Sequence, residues 1–276
     1  MSTTVGRRRA LAAFGATGLA ALVAACGGGN DDSGGSASTS TTGTTGGTSG
    51  GVSETTAATA GQAADVAGGP LTAAAFEEAA ACELTPEQME GPYYIDVDNL
   101  RRDIREDREG SPLRLGIRVL DEACEPLPDA VVEVWHCDAL GVYSGFVDAS
   151  RAANGAPGGA GSPGGADGDD TRYLRGGQVA NGDGIVELQT IYPGWYQGRA
   201  VHIHAKVHIG NAEVLTTQLY FDDDVSDEVF ASDPYAEHAG RRTTNAEDGI
   251  YADGPRLTLS AEGDGHLGLV TMTVTR

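Results

Sequence analysis

Between residues 201 and 209 the chain alternates without a break. His202, His204, Lys206 and His208 interleave with Ile203, Ala205, Val207 and Ile209. Side chains two apart share a face of a β-strand and successive ones oppose each other, so this run reads as a strand with an apolar inner face. A strand with one apolar face must bury it against another layer, which constrains the whole domain. Other segments follow the same rule. Leu113, Leu115, Ile117 and Val119 alternate with Arg114, Gly116, Arg118 and Leu120. Further strands are expected at 130–135, 184–192, 213–221, 256–260 and 268–275, with turn chemistry such as Glu125-Pro126-Leu127-Pro128-Asp129 between them. The pattern predicts an all-β fold, an antiparallel β-sandwich over residues 71–276, preceded by one short helix at 71–81 with Thr72 as its cap.

The N-terminal quarter is of a different kind. Residues 1–25 carry Arg7-Arg8-Arg9, no acidic residue, and an apolar stretch from Ala10 to Ala25 that is short for a membrane span. The paired arginines suggest twin-arginine (Tat) export. Leu22-Val23-Ala24-Ala25-Cys26 resembles a bacterial lipoprotein cleavage box, which makes Cys26 the expected site of lipidation. Residues 26–70 are almost entirely Gly, Ser, Thr and Ala, too poor in apolar surface to offset their ordering entropy. As a flexible tether they would reach roughly 35–40 Å. The expected location is therefore outside the cell, on the outer face of its membrane through a lipid anchor, or secreted. With the first 25 residues removed, 15 basic residues face 40 acidic ones. Such a balance disfavours nucleic acid as a partner, since that binding depends on neutralising phosphates.

After Cys26 three cysteines remain, Cys82, Cys124 and Cys137. An exported domain can keep a disulfide, and the sequence does not choose the pair. Residues 152–170 form a Gly/Pro/Asp-rich insertion, read as a tolerated surface loop rather than a lid.

The parity that places His202 and His204 on one face lets two imidazoles converge on one metal ion, although a His-x-His pair alone is weak evidence. Arg199 lies three residues before His202 and reaches the same side only if the chain turns before Val201. Gly198 permits such a turn. Tyr143 sits in a Gly-flanked loop after the strand that ends at Trp135.

Four pieces together resemble the intradiol ring-cleavage dioxygenases, the family of catechol 1,2- and protocatechuate 3,4-dioxygenases: Glu90-Gly91-Pro92-Tyr93-Tyr94, Trp135 to Tyr143, Gly198 to His204, and Thr217-Gln218-Leu219-Tyr220-Phe221. The resemblance is nearest to exported, lipoprotein-type bacterial members. It implies one non-haem Fe(III) held by Tyr143, Tyr196, His202 and His204. It implies a small aromatic diol and O2 as partners, with the ring opened between its two hydroxylated carbons to a cis,cis-muconate. Arg199 falls on the arginine that steadies negative charge on the substrate, and Gln218 on a glutamine beside it. Tyr93 and Tyr94 fall on a wall of the substrate pocket. Tyr196 lies closer to His202 than the matching residue does in the protocatechuate enzymes, which leaves Tyr192 as a rival ligand. With one short helix before the strands, a monomer is expected as readily as the homodimer common among relatives.

The donor types suit that ion. A free phenol ionises near pH 10. Only a strongly Lewis-acidic, oxygen-loving cation makes it a ligand at neutral pH. A zinc hydrolase or cupin-type site would call for a carboxylate beside the histidines, and no Asp or Glu stands in matching spacing. A non-catalytic surface-displayed sandwich would explain the signal, tether and strands. It would leave the Tyr–Tyr–His–His–Arg set without a role. Asp222-Asp223-Asp224 with Asp227 and Glu228 lacks calcium-loop spacing and reads as a solvated loop entering a capped turn. His136 is a candidate to support the ligands from behind, His208 lies too far along the strand to join them, and His238 and His266 read as surface residues.

Overall fold

The computed structural model describes residues 69–79, 82–96, 99–154, 168–251 and 254–276. The expected signal, Cys26, nearly all of the tether and most of the 152–170 insertion lie outside the described residues. Among the described residues eight strands form: β1 (Pro112–Asp121), β2 (Val131–Trp135), β3 (Arg175–Val179), β4 (Ile185–Ile191), β5 (His202–Ile209), β6 (Ala212–Tyr220), β7 (Thr258–Glu262) and β8 (Gly265–Val274). They make two four-stranded sheets, in the orders β4-β1-β8-β7 and β3-β2-β5-β6. Leu113, Leu115, Ile117 and Val119 from β1 and Val270 and Met272 from β8 bury against Val132, Val134, Ile203, Ala205 and Val207 of the other sheet. The inward sets are those that the period-2 reading selects.

The structure differs from the sequence reading in four places. The pairing is not antiparallel throughout, because β1 and β8 run parallel. The helix expected at 71–81 is a single 3-10 turn, Ala73–Phe76, and Thr72 makes no side-chain capping bond. Leu71 and Phe76 instead seat on Ile185 and Leu269, which holds the segment by burial rather than by helix length. Strand β3 was not expected from its sequence, Arg-Gly-Gly-Gln-Val. Its glycine is required: a Cβ on Gly176 would stand 2.7 Å from Ile104 Cγ2. Two helices were likewise not read, α1 (Val147–Ala153) and α2 (Asp223–Phe230). In α2 the acidic run occupies the first turn, where the helix dipole favours it, and Arg242 pairs with both Asp223 and Asp227.

Strand β5 is buried on both faces. His202, His204 and Lys206 are each at most 3% exposed. Their cover is the segment 84–96, pinned by Gln88 N–H to Thr216 O (2.8 Å) and Thr217 Oγ1 to Pro86 O (2.9 Å). A disulfide joins Cys82, just before this cover, to Cys124, leaving Cys137 free and buried. The bridge closes a separation of 42 residues. Chain-entropy reasoning gives it about 4 kcal/mol. Melting curves with and without a thiol reductant are expected to show a large drop in Tm on reduction.

His136 bridges the two sheets. Its Nδ1 donates to Cys137 O (2.8 Å), and its Nε2 accepts from the Thr190 hydroxyl on β4 (2.7 Å). Burial pushes its pKa down to about 4, with Arg175 adding to the effect. The unfolded chain, titrating near 6.5, therefore binds more protons between those values. This contribution is complete above pH 6.5 and is lost as pH falls toward 4, by about 3 kcal/mol. Denaturant melts at pH 7.5 and 4.5 should show that loss in the wild type and a smaller one in His136→Gln.

Candidate metal centre

Trp135 ends β2 directly opposite His204 of β5, and its ring stacks on the imidazole with centroids 4.7 Å apart. On the cover segment Gly91 adopts φ 77°, and a Cβ there would stand 3.3 Å from His204 Cε1. Glycine thus permits both the turn and the close approach. Before β5, Gly198 takes φ 87° and the chain turns, so Arg199 comes to the histidine side. Tyr143 follows the 138–142 loop, where Asp138 Oδ1 accepts the Leu140 and Val142 amides. Ser150 Oγ of α1 accepts the Tyr143 amide at 3.1 Å.

These elements bring four donors together. Tyr196 Oη lies 3.2 Å from His202 Nε2, which lies 3.2 Å from His204 Nε2. Donors held about 2 Å from a common ion sit roughly 3 Å from one another. His202 Nδ1 donates to Ala200 O at 2.7 Å, which leaves the Nε2 lone pair facing the cluster. Tyr143, fully buried, edges onto the Tyr196 ring at 5.8 Å, and its hydroxyl has no hydrogen-bond partner among the described residues. Burial penalises charge on every member. His202 is pushed down to about 3 and His204 well below its usual range, while both phenols are pushed up. Without a cation the cluster is neutral, with more lone pairs than protons to share. A trivalent ion would satisfy both imidazole nitrogens, the orphaned phenol and Tyr196 at once. No group of three or more His, Cys, Asp or Glu suited to a metal occurs among the described residues, so the phenols are what complete this set.

Tyr192 is not part of it. Its hydroxyl meets Ser226 Oγ at 2.9 Å, and its ring packs on Phe221. Tyr93 stacks on Tyr143 at 4.7 Å. Tyr94 touches Trp135, lays its ring under Lys206 Nζ at 3.9 Å and donates to Glu133 at 3.2 Å. His208 also meets Glu133 (3.0 Å), past a β-bulge in β5. His238 stacks on Trp195. Two surface hollows of about 600 and 680 Å3 exclude the four donors, so donor convergence rather than cavity size marks the site.

Arg199 is clamped at the mouth. Its Nε faces Asp248 Oδ2 at 3.1 Å, and its Nη2 donates to Gln218 Oε1 (2.5 Å) and Tyr220 Oη (3.3 Å). Its Nη1 donates to Tyr196 Oη at 3.4 Å. Burial opposes its charge, but Tyr196 and Asp248 more than offset that and raise its pKa. Gln218 is itself held through Nε2 to Met89 O. Asp248, Tyr220, Trp135 and Ser150 carry parts of the site that sequence reasoning missed. Only Trp135 and Tyr220 lay inside recognised motifs.

Two phenols and two imidazoles come together on one face of a β-sandwich, beside a clamped guanidinium, a donor set whose chemistry fits a hard cation. A family model described as Dioxygenase matches residues 89–256. The chain belongs to the intradiol ring-cleavage dioxygenase family. It is similar to a solved intradiol ring-cleavage dioxygenase from Tetranychus urticae, with 32% identity and a TM-score of 0.63 over 70% of this chain and 95% of that one. It also resembles catechol 1,2-dioxygenase from Pseudomonas sp. (strain EST1001), 30% identical over 55% of this chain and 48% of the relative. Catechol 1,2-dioxygenase 1 of Acinetobacter lwoffii is 28% identical over 51% and 47%. The chain thus spans about half the length of the curated relatives it matches.

Proposed function

We propose that this protein opens catechol-type aromatic rings with O2 at one non-haem Fe(III) held by Tyr143, Tyr196, His202 and His204, giving a cis,cis-muconate-type product. The observation that carries the reading is the convergence of Tyr196 Oη, His202 Nε2 and His204 Nε2 beside the orphaned Tyr143 hydroxyl. When bound, ferric iron would supply the Lewis acidity that keeps the phenols ionised and activates a bound catecholate. The chain's own residues do the rest. Tyr196, half-buried at the mouth and within reach of Arg199, is the phenolate placed to take a proton from the incoming diol. Arg199, fixed by Asp248 and Gln218, presents preorganised donors to the negative charge of the ring oxygens. Tyr93, stacked on Tyr143, forms a wall for the ring, with Tyr94 behind it against Trp135.

Purified protein is expected to be red-brown, to hold one iron per chain and to consume O2 with catechol. Colourless protein carrying stoichiometric zinc, or iron-loaded protein inert toward a panel of substituted catechols, would overturn the reading. The same proposal places the enzyme outside the cell, with residues 1–25 as its export signal and Cys26 as its lipid attachment. A Cys26→Ser variant should move from the membrane fraction to the soluble exported fraction. An unchanged distribution would remove the anchor from the proposal.

A further inference from the structure

Arg175 is buried more deeply than any other described arginine, at 1% exposure. It begins β3 in register with Trp135, which is in register with His204. Residues directly opposite on neighbouring strands share a face, so Arg175 stands in the same row as the metal-facing histidine. Its Nε donates to Ser144 Oγ (2.9 Å) and its Nη2 to Ser144 O (2.7 Å), on the residue that follows Tyr143. Its Nη1 is buried without a hydrogen-bond partner among the described residues.

The other buried guanidiniums all meet carboxylates. Arg114 pairs with Glu187 and Glu262, Arg242 with Asp223 and Asp227, and Arg199 with Asp248. Arg175 forms no ion pair with a carboxylate among the described residues. A buried charge left without a counter-ion is costly, and a fold retains one where something else supplies the opposite charge. Ser144, which the Arg175 guanidinium holds through both Oγ and O, is joined directly to Tyr143. Tyr143 is the buried phenol whose oxygen has no partner at hydrogen-bond distance among the described residues.

We propose that Arg175 is a positioning residue that supplies the fixed positive charge balancing the Tyr143 phenolate once that residue is a metal ligand. The inference rests on the iron reading above and deepens it. Arg199 stands at the mouth, within reach of Tyr196, and Arg175 stands behind Tyr143 from within. Arg199 can also engage substrate, whereas Arg175, at 1% exposure, is sealed from it.

The test compares iron-loaded wild type, Arg175→Gln and Arg175→Lys. Glutamine keeps a donor for Ser144 and loses the charge, and lysine keeps the charge. Removing a positive charge beside a phenolate raises its donor level. In Arg175→Gln the tyrosinate-to-iron absorption should therefore move to longer wavelength and the reduction potential should become more negative. Arg175→Lys should return both toward wild type. Unchanged values in the glutamine variant overturn the inference, as do equal shifts in both variants, which would assign Arg175 only to pinning Ser144. Should the glutamine variant not fold, Arg175→Met is read in its place. A wild-type protein without the visible band would instead sink the iron reading, and the inference with it.

Discussion

Phenylalanine at position 143 is expected to abolish the visible charge-transfer band contributed by that residue while leaving the fold intact. The expectation follows from the state of its hydroxyl, which is fully buried and has no hydrogen-bond partner among the described residues. A buried polar atom without a partner costs about 1–3 kcal/mol. Deleting it should leave the metal-free protein as stable as wild type or more so. Iron binding and ring cleavage should nevertheless collapse, because one of four donors is gone. The measurement pairs a thermal melt of metal-free protein with iron stoichiometry and the visible spectrum after loading. Undiminished iron binding with an unshifted band would remove Tyr143 from the ligand set. Phenylalanine at Tyr196 gives a useful contrast, since that hydroxyl is engaged by His202 and Arg199 and its loss leaves them short of a partner.

The second large effect is expected at Asp248, outside every recognised motif. Its side chain is 1% exposed and accepts from Arg199 Nε, the Ala200 amide (2.8 Å) and the Ile250 amide (2.8 Å). All its visible partners are donors. Asparagine would turn an NH2 group toward at least one of them, trading attraction for repulsion. Breaking a buried pair by removing one partner costs about 3–5 kcal/mol, so Asp248→Asn should lower stability. The greater consequence falls on Arg199, whose guanidinium would keep Gln218 and Tyr220 but lose the carboxylate that aims it. Misplacing such a group by about 1 Å costs on the order of 100-fold in rate. Steady-state kinetics at a temperature where the variant stays folded should show kcat falling far more than iron content. An unchanged kcat would mean that Arg199 needs no such support.

The sequence carried the architecture wherever alternation survived. The β1 and β5 patterns place their inner faces correctly, and the same parity puts His202 and His204 on one side. It was silent where burial falls on both faces: the nominally polar row of β5 is covered by residues 84–96, and period-2 logic alone cannot show that cover. It was silent again at β3, whose Arg-Gly-Gly core has no hydrophobic rhythm because Ile104 and Arg101 occupy the space of the missing side chain. The acidic run hid α2, since Val225, Val229 and Phe230 are too few to announce a stripe among the carboxylates. The disulfide partner needed three-dimensional proximity, and so did the choice between Tyr192 and Tyr196. The first points its hydroxyl at Ser226 and the second at His202. Asp248 lies 49 residues from Arg199, with nothing in the intervening chain to mark it as a partner.

The parallel pairing of β1 with β8 joins residue 113 to residue 266 and residue 121 to residue 274. Those partners lie about 150 residues apart in the chain, and loop-closure entropy must be overcome before they pair. Each of the four proposed iron donors lies between the two strands in the chain. Folding should accordingly be slow, and the donors should become a competent cage only after the last strand has been synthesised and docked. Under the proposed twin-arginine export the domain would be carried finished or not at all, with metal capture as a late event in its biogenesis.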